Sequence, residues 1–353
     1  MDEIVFNREN NIGLITLTRV QALNSLTLPM ILALQEQLQL WEADRNIHAV
    51  VLQAAPGKAF CAGGDVRWLY EAGKHLDPTL QMEFFWNEYR LNHFIHSFSK
   101  PYIALMDGIT MGGGVGISLH GSHPVASEKF VFAMPETSIG FFPDIGASYL
   151  LARCPGNTGV YLGLTGNRLN AQESLSLGLV KYLIPSSEFD AVLKQLLTLD
   201  LSSDAHQIVD QCLQSFTTST PSAIAHQQEI DYVFSGNRVE DILQHLEANE
   251  EQWYQELRQN LLQKAPSSLK VTLAQLLRAK SRTMAECIIL DYVLVGHFMH
   301  APDFYEGVRA LLIDKDKSPK WRPELLEKVS DDMVERYFYS TSPPLRLQGL
   351  EKT

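Results

Sequence analysis

The chain has 353 residues, of which 45% are hydrophobic and 20% are charged. This composition excludes a disordered, collagen-like or coiled-coil chain, and the length leaves room for about two domains. The formal net charge of −12 disfavours nonspecific binding to nucleic acid or to an anionic membrane.

The four cysteines, Cys61, Cys154, Cys212 and Cys287, are scattered along the chain. They include no C-x-x-C pair and no cluster with histidine at zinc-ligand spacing, so we expect reduced thiols and no metal site. No apolar run reaches the roughly 18 residues of a membrane-spanning helix. The first residues are acidic and lead directly into a strand pattern, unlike a signal or transit peptide. We therefore expect a cytoplasmic protein with no membrane partner.

The first half of the chain alternates strand patterns with helix patterns, which predicts an α/β sheet with glycine loops at the carboxyl ends of its strands. Pro29 lies where the first turn of a helix tolerates proline. The predicted elements are two strands within residues 3–18, a helix to about Asp44, a strand over Ala49–Ala55, a helix to about Ser97, a strand over Pro101–Met106 and an apolar helix to about His120.

Beyond about residue 185 strand signals almost vanish and helical periodicity dominates. Residues 240–262 and 269–279 show this periodicity clearly. We therefore predict a catalytic core over residues 1–205 and a mainly helical C-terminal region over residues 206–353 that packs on it.

Two glycine-bearing loops, at residues 57–65 and 112–116, follow predicted strands. Neither is a phosphate-binding P-loop, because no G-K-[ST] follows, and the G-x-G-x-x-G order of a dinucleotide site is absent. Glycine lets a backbone N–H approach a ligand, so the amides of Gly64 and Gly113 are candidates for an oxyanion hole. The alternative is that these glycines only permit tight turns and close helix packing. The residues alone leave both interpretations open.

A second group lies in residues 132–146, where the carboxylates of Glu136 and Asp144 stand in an otherwise apolar stretch. Apolar surroundings disfavour the charged form of a carboxylate, which prepares an acid or base for neutral pH. Alternatively, Asp144 caps a helix through Tyr149 and Leu150, and Glu136 is a solvated turn residue. Capping explains Asp144 as well as catalysis does, whereas a solvated turn explains Glu136 poorly.

Three motifs in chain order resemble the enoyl-CoA hydratase/isomerase (crotonase) superfamily. The resemblance covers roughly residues 1–200 and implies a superhelical core of stacked ββα turns, an acyl-CoA thioester substrate and two amides that hold the thioester oxygen. By position these amides belong to Gly64 and Gly113, in agreement with the loops. The motifs are Lys58-Ala59-Phe60-Cys61-Ala62-Gly63-Gly64-Asp65, Met111-Gly112-Gly113-Gly114, and Met134-Pro135-Glu136 before Ile139-Gly140.

Acidic positions distinguish members of this superfamily. Its hydratases carry a glutamate two residues beyond the triple glycine, where this chain has Gly116, so hydration of an enoyl-CoA is doubtful. Asp144 and its neighbours instead resemble the 3-hydroxyisobutyryl-CoA hydrolase branch, and Glu88 matches a substrate-binding glutamate of that branch. Three further segments resemble the C-terminal signature of the same branch, and we interpret them as structural: residues 267–272, 303–310 and 312–321.

The resemblance implies hydrolysis of a short 3-hydroxyacyl-CoA, with 3-hydroxyisobutyryl-CoA from valine breakdown as the expected substrate. Glu136 would either deprotonate water or attack the carbonyl to form a mixed anhydride. Asp144 and Glu88 would orient the substrate 3-hydroxyl or the water. Lys58 is a candidate contact to a CoA phosphate or, equally, a solvated loop lysine.

No metal or redox cofactor is expected. Two alternative functions remain at this stage, an enoyl-CoA hydratase/isomerase and a CoA-binding or interaction protein without catalysis. Members of the superfamily commonly form trimers or hexamers. The helical C-terminal region could cover the surface used for that assembly, so a homo-oligomer is an open expectation.

Overall fold

The computed structural model of the chain describes residues 3–218, 221–340 and 343–347. In chain order its strands and α-helices are β1 (Ile4–Glu9), β2 (Ile12–Leu17), α1 (Leu28–Ala43), β3 (Ala49–Ala54), β4 (Ala59–Cys61), α2 (Val66–His75), α3 (Thr79–His96), β5 (Tyr102–Met106), β6 (Ile109–Met111), α4 (Gly113–Gly116), β7 (His123–Ala126), β8 (Val131–Ala133), α5 (Ala147–Leu151), α6 (Thr158–Thr165), β9 (Leu169–Asn170), α7 (Ala171–Ser176), β10 (Tyr182–Leu183), α8 (Phe189–Leu196), α9 (Ala205–Phe216), α10 (Gln227–Val233), α11 (Val239–Glu247), α12 (Gln252–Leu262), α13 (Pro266–Ala279), α14 (Met284–Phe298), α15 (Pro302–Val308) and α16 (Asp331–Arg336).

Short 3₁₀ helices cover Val20–Ala22, Glu136–Ile139, Ser186–Glu188 and Leu326–Lys328, and a π-helical turn covers Arg309–Ile313. The α/β class predicted from the alternating patterns is confirmed.

The described residues form two compact units that interleave along the chain. Unit 1 takes its residues from Met1–Gly64, Arg90–Phe132 and Leu169–Ile224, and unit 2 from Asp65–Tyr89, Ala133–Arg168 and Ala225–Thr353. Each unit includes residues from both sides of residue 205, where the sequence predicts a boundary. The division into a catalytic core over residues 1–205 and a helical region over residues 206–353 that packs on it stays a prediction.

A mainly parallel sheet forms the centre of unit 1, in the strand order β1-β2-β3-β5-β7-β10. Only β1 runs antiparallel to its neighbour, while Val51 of β3 pairs with Ile103 of β5 and Leu105 pairs with Val125 of β7 in parallel register. These strands are apolar almost throughout, as expected for a parallel sheet buried on both faces. Helices α8 and α9 add their apolar residues to the core over one face.

A second sheet of unit 1, in the order β4-β6-β8-β9, positions the glycine loops. Strands β4 and β6 run parallel, with Ala59 paired to Ile109 and Cys61 paired to Thr110. Because parallel neighbours end at the same edge of a sheet, the loops that follow β4 and β6 lie side by side.

Unit 2 is helical around α5, α6 and α13, which pack against one another, with α14 against α5 and α15. Helix α13 is buried along most of its length. The helix predicted over residues 269–279 is confirmed, and it begins at Pro266, a residue tolerated in the first helical turn.

Three predicted helices differ from the observed ones. The helix expected to run to Ser97 is divided into α2 and α3, because Pro78 disfavours helical backbone before it and Asp77 accepts a hydrogen bond from the Thr79 amide. The helix expected to run from the triple glycine to about His120 is an α-helix only over α4, Gly113–Gly116. The stretch is rich in glycine, which is a poor helix former. The pattern over residues 240–262 breaks between α11 and α12.

All four cysteines are free, as the sequence predicts, and all four are buried. No single helix among the described residues is long and apolar enough to cross a membrane. Met284–Phe298 and Pro302–Ile313 satisfy the length and composition test only as a pair, and the pair is bent by 84°.

Candidate active site

The two amides proposed for an oxyanion hole lie in neighbouring loops of unit 1. Gly64 follows β4 and forms a parallel bridge with Leu26, whose amide donates to the Gly63 carbonyl at 2.8 Å. Gly113 is the first residue of α4, so its amide has no acceptor within the helix. Within the described part of the chain, neither the Gly64 nor the Gly113 amide donates to an acceptor. Both donors are therefore available to a ligand.

Glycine is required here by close backbone approach. A Cβ on Gly114 would lie 2.2 Å from the Cys61 carbonyl oxygen, so no larger residue fits between the two loops. A Cβ on Gly63 would lie 3.7 Å from the Gly113 nitrogen, and Gly63 has a φ of +115° that other residues rarely adopt. The interpretation that these glycines serve packing is correct for Gly114. It does not account for the unpaired amides of Gly64 and Gly113.

Lys58 lies at the start of the first loop, and its side chain is exposed. Its backbone carbonyl accepts a hydrogen bond from the Ile109 amide at 3.3 Å, which joins the two loops of the site. Among the described residues its ammonium group forms no ion pair. Its proposed contact to a CoA phosphate stays a prediction.

In unit 2 the turn that carries Glu136 is held on several sides. The Thr137 hydroxyl donates to the Leu164 carbonyl at 3.0 Å, and the Ala265 amide donates to the Thr137 carbonyl at 3.3 Å. Gly140 ends the turn with a φ of +68°, and a Cβ there would lie 2.2 Å from the Asp303 carbonyl oxygen. The C-terminal segment at residue 303 thus packs directly on the Glu136 turn, in keeping with the structural role we gave it.

Glu136 is not a solvated turn residue, since only 7% of it is exposed. Its Oε2 atom has no hydrogen-bond partner among the described residues. Burial raises the pKa of Glu136 well above its ordinary value, and the nearby carboxyl of Asp144 raises it further. A buried carboxylate with an unpaired oxygen is suited to take a proton or to attack a carbonyl.

Asp144 does not cap a helix with its side chain. Gly146 is the residue before α5, and no side chain caps that helix. The Asp144 Oδ2 atom instead accepts a 2.8 Å hydrogen bond from the hydroxyl of Tyr89. Burial raises the pKa of Asp144 to about 7, against the lowering effect of this hydrogen bond.

Glu88 lies in α3 and is 2% exposed, with an Oε1 atom that has no partner in the described structure. Burial raises the pKa of Glu88 well above its ordinary value, and the charges of Asp144 and Glu136 raise it further. The charges of the three carboxyls thus oppose one another, so ionising one makes the next harder to ionise. Carboxyls in such surroundings are suited to hold and transfer a proton.

Tyr89 bonds Asp144, and Gln275 and Asp291 bond the backbone of Pro143 and Gly146 on either side of it; none of the three is predicted from the sequence. Tyr89 is adjacent to Glu88 in sequence, but an aromatic residue in an apolar helix carries no signal for a polar contact. Gln275 and Asp291 lie more than a hundred residues from Asp144. Only the tertiary structure reveals their connection to it.

A cavity of roughly 1050 Å³ lies in unit 2 beside Ser138, two residues from Glu136. Lys264 donates a 2.8 Å hydrogen bond to the Ser138 hydroxyl, and burial lowers the pKa of Lys264 to about 8. Four cationic side chains stand among its lining residues, with Glu324 as the acidic one. They are Lys264, Lys317, Lys320 and Arg322.

Among the described residues no group of three or more His, Cys, Asp or Glu side chains is arranged to hold a metal ion. The expectation that the reaction needs no metal or other cofactor stays a prediction.

A profile described as enoyl-CoA hydratase/isomerase matches residues 12–338. The chain belongs to this family. The 3-hydroxyisobutyryl-CoA hydrolase of Xenopus laevis is 43% identical over 93% of this chain and 86% of its own length. The human protein of the same name is 40% identical over 96% of this chain and 89% of its own length. The resemblance to that branch of the family is thereby confirmed.

Solved structures of the family confirm the crotonase-like fold. A carnitinyl-CoA dehydratase from Mycobacterium thermoresistibile is 34% identical with a TM-score of 0.91, over 99% of this chain and 100% of that one. An enoyl-CoA hydratase from Rhodobacter sphaeroides is 33% identical with a TM-score of 0.89, over 98% of this chain and 100% of that one.

The expected cytoplasmic location is wrong on this comparison, because the hydrolases from Xenopus laevis and human are named as mitochondrial proteins. Our expectation relied on unpaired cysteines and on the first residues of the chain. Unpaired cysteines separate reducing from oxidising compartments, and they do not distinguish one reducing compartment from another.

Proposed function

We propose that this enoyl-CoA hydratase/isomerase family member is a hydrolase that cleaves a short 3-hydroxyacyl-CoA thioester, with 3-hydroxyisobutyryl-CoA as the substrate. The observation that carries the proposal is the cluster of three buried carboxyl groups, those of Glu88, Glu136 and Asp144. The names of the curated relatives support the same substrate. A role in valine breakdown follows from that substrate and is part of the proposal.

In the proposed reaction the thioester oxygen accepts hydrogen bonds from the Gly64 and Gly113 amides. Glu136 removes a proton from water, and the resulting hydroxide adds to the carbonyl carbon. The carbonyl electron pair moves to the oxygen, which the two amides stabilise as an oxyanion; one such donor is worth about 3–4 kcal/mol of the barrier. Collapse expels CoA thiolate, which is protonated to the thiol, and leaves the free hydroxy acid.

A covalent route uses the same residue. The Glu136 carboxylate adds to the carbonyl carbon, CoA thiolate leaves, and water then hydrolyses the mixed anhydride. A single turnover in H₂¹⁸O tests for this route. Attack of water on the Glu136 carbon of the anhydride places ¹⁸O in the enzyme, which direct attack of water on the thioester cannot do; ¹⁸O in the first product is expected from direct attack and also from attack of water on the acyl carbon of the anhydride.

Asp144 and Glu88 are proposed to bind the substrate 3-hydroxyl. A site built to hydrogen-bond a hydroxyl rejects analogues that lack it, because its buried polar groups are then left unpaired. The acidic group in unit 2 has unpartnered oxygens on Glu88 and Glu136, as such a role requires.

The proposal is tested by following free thiol with a thiol reagent on three thioesters. We expect rapid release from 3-hydroxyisobutyryl-CoA and slow release from isobutyryl-CoA, which lacks the hydroxyl, and from methacrylyl-CoA, which carries a double bond. Equal rates on the hydroxylated and saturated thioesters would contradict the assigned roles of Asp144 and Glu88.

Hydration of an enoyl-CoA is the second candidate, because two structures that resemble this chain throughout are described as a dehydratase and a hydratase. Gly116 stands where the hydratases of the superfamily carry a second glutamate, which argues against it. Loss of the methacrylyl-CoA double bond without free thiol would favour hydration. No reaction of any thioester, with CoA still bound, would instead favour a CoA-binding protein without catalysis.

We also propose that the chain can form a homo-oligomer, as other members of the family do. Light scattering after size-exclusion chromatography measures it directly. A mass near 39.7 kDa would contradict a stable homo-oligomer.

A further inference from the structure

The segment that carries Asp144 has a backbone conformation that its own sequence does not favour. Ile145 has a φ of +56°, in the left-handed region that β-branched residues rarely adopt. Such a conformation persists only where the surrounding structure imposes it. The contacts that impose this conformation on Ile145 therefore also help to position Asp144, the residue before it.

Two side chains from the C-terminal helices supply the constraint, one on each side of Asp144. Gln275 of α13 donates through Nε2 to the Pro143 carbonyl at 3.0 Å. Asp291 of α14 accepts through Oδ2 from the Gly146 amide at 2.7 Å. The residue before Asp144 and the residue after Ile145 are thus both tied to these helices.

The two side chains are also bonded to each other. Gln275 Nε2 donates to Asp291 Oδ1 at 2.8 Å, so one amide group contacts both the segment and its partner. This contact fixes the orientation of the Gln275 amide, since only the NH₂ end can face two acceptors. The Gln275 Oε1 atom has no partner among the described residues, which is the consequence of that orientation.

Both residues are fully buried. A buried amide and a buried carboxylate are costly to place in a helical core unless they are hydrogen-bonded. Burial raises the pKa of Asp291, while the hydrogen bonds from Gly146 and Gln275 favour its ionised form. Both side chains direct hydrogen bonds to the backbone that flanks Asp144.

We propose that Gln275 and Asp291 are positioning residues that hold the Asp144 carboxyl in place for catalysis. The proposal rests on the hydrolysis proposed above. Neither residue touches the substrate in this role, and each acts through the backbone that flanks Asp144. Removing the Gln275 donors should release Pro143 and loosen the hydrogen bond between Asp144 and Tyr89.

The test uses Gln275→Met, which keeps the length of the side chain and removes both donors. Misplacement of a reacting group by about 1 Å costs up to about 100-fold in rate, so we expect kcat to fall about 10- to 100-fold with KM nearly unchanged. Combined with Asp144→Asn, the same substitution should lower kcat by less than about twofold, because it acts through Asp144. An equal loss of kcat in both backgrounds would overturn the proposal.

Asp291→Asn is the second variant and is gentler on folding. Its amide oxygen still accepts from Gly146, while its NH₂ group faces the Gln275 donor and breaks the link between the two residues. Lys270→Met is the matched control, because Lys270 is a buried polar residue of α13 that bonds Val329 and Glu240 instead. We expect that control to lose stability and to change kcat by less than about twofold.

A readout without turnover keeps this inference separate from the proposed reaction. The Asp144 carboxyl is followed by ¹³C NMR and assigned by the signal missing in Asp144→Asn. We expect its titration midpoint to rise in Gln275→Met and to stay unchanged in Lys270→Met. If the wild type releases no thiol, the proposed function fails while this titration still decides the positioning. An unchanged midpoint in a folded Gln275→Met would refute the positioning role even in an active enzyme.

Discussion

The hydroxyl of Tyr89 donates a 2.8 Å hydrogen bond to Oδ2 of Asp144. Burial and the neighbouring carboxylates raise the pKa of Tyr89 well above its ordinary value, so its hydroxyl keeps its proton and can donate at neutral pH. The bond favours the charged form of Asp144 and thus opposes the effect of burial. It holds the pKa of Asp144 near 7, where a carboxyl group gains and loses a proton readily.

Tyr89→Phe should therefore raise the pKa of Asp144 above about 7. A hydrogen bond to a charged group is worth about 1.5–3 kcal/mol, which corresponds to a shift of about one to two pH units. If turnover needs ionised Asp144, the acidic limb of the kcat profile moves to higher pH by that amount. Tyr292→Phe is the control, since Tyr292 lies against the Tyr89 ring without bonding Asp144. An unshifted profile in Tyr89→Phe would remove Asp144 from the acidic limb.

Glu136→Gln should abolish hydrolysis while leaving substrate binding largely intact. The amide cannot remove a proton from water or attack a carbonyl, and loss of such a group typically costs about 10²–10⁴ in kcat. Stopped-flow thiol release measures the rate, and calorimetry with a non-hydrolysable CoA thioether measures binding. Glu335→Gln makes the same chemical change at a half-exposed position and should leave both unchanged. Near-normal turnover in Glu136→Gln would exclude Glu136 from the mechanism.

Asp144→Asn should stabilise the folded protein at alkaline pH. The folded pKa of Asp144 is about 7 against an ordinary value of 3.8, so the folded state binds the proton more tightly than the unfolded state. The raised pKa therefore stabilises the folded wild type fully below about pH 4, and this stabilisation is lost as the pH rises through 7. Three pKa units correspond to at most roughly 4 kcal/mol. Urea unfolding at pH 4 and pH 8.5 measures the free energy of unfolding of both proteins. The variant should gain stability relative to the wild type as the pH rises, and an equal difference between them at the two pH values would contradict the prediction.

The cationic side chains beside Ser138 and the exposed Lys58 are the two candidate contacts for the phosphates of CoA. Replacing Lys320 and Arg322 with Met, or Lys58 with Met, should raise KM for the CoA thioester if the replaced group binds phosphate. The same variants should leave KM unchanged for the pantetheine thioester, which lacks the nucleotide. Phosphate contacts between charges also weaken with added salt. Equal changes on both thioesters would show that the replaced side chain does not contact the nucleotide.

The local elements and the candidate reacting residues can largely be predicted from the sequence. The glycine loops and the Pro135-Glu136 turn are recognisable because each depends on residue types at short, fixed spacing, whereas Glu88 is predicted only through the resemblance to the family. The two strands predicted within residues 3–18 are also present as the antiparallel pair β1 and β2, in which Ile4 pairs with Leu17. Sequence could not show that Asp144 leaves its helix uncapped, since a cap and a buried acid share the same local pattern.

The sequence by itself determined the α/β class, the family and the identity of the candidate acid and base. Only the tertiary structure decided that Glu88, Glu136 and Asp144 form one buried group, that Tyr89 bonds Asp144, and that Gln275 and Asp291 bond the backbone on either side of it. The physical reason is that hydrogen bonds and desolvation depend on distances between residues far apart in the chain. The length and composition limited the protein to a globular fold and the acidic charge disfavoured binding to nucleic acid, and the fold concentrated part of that acidity where water is excluded.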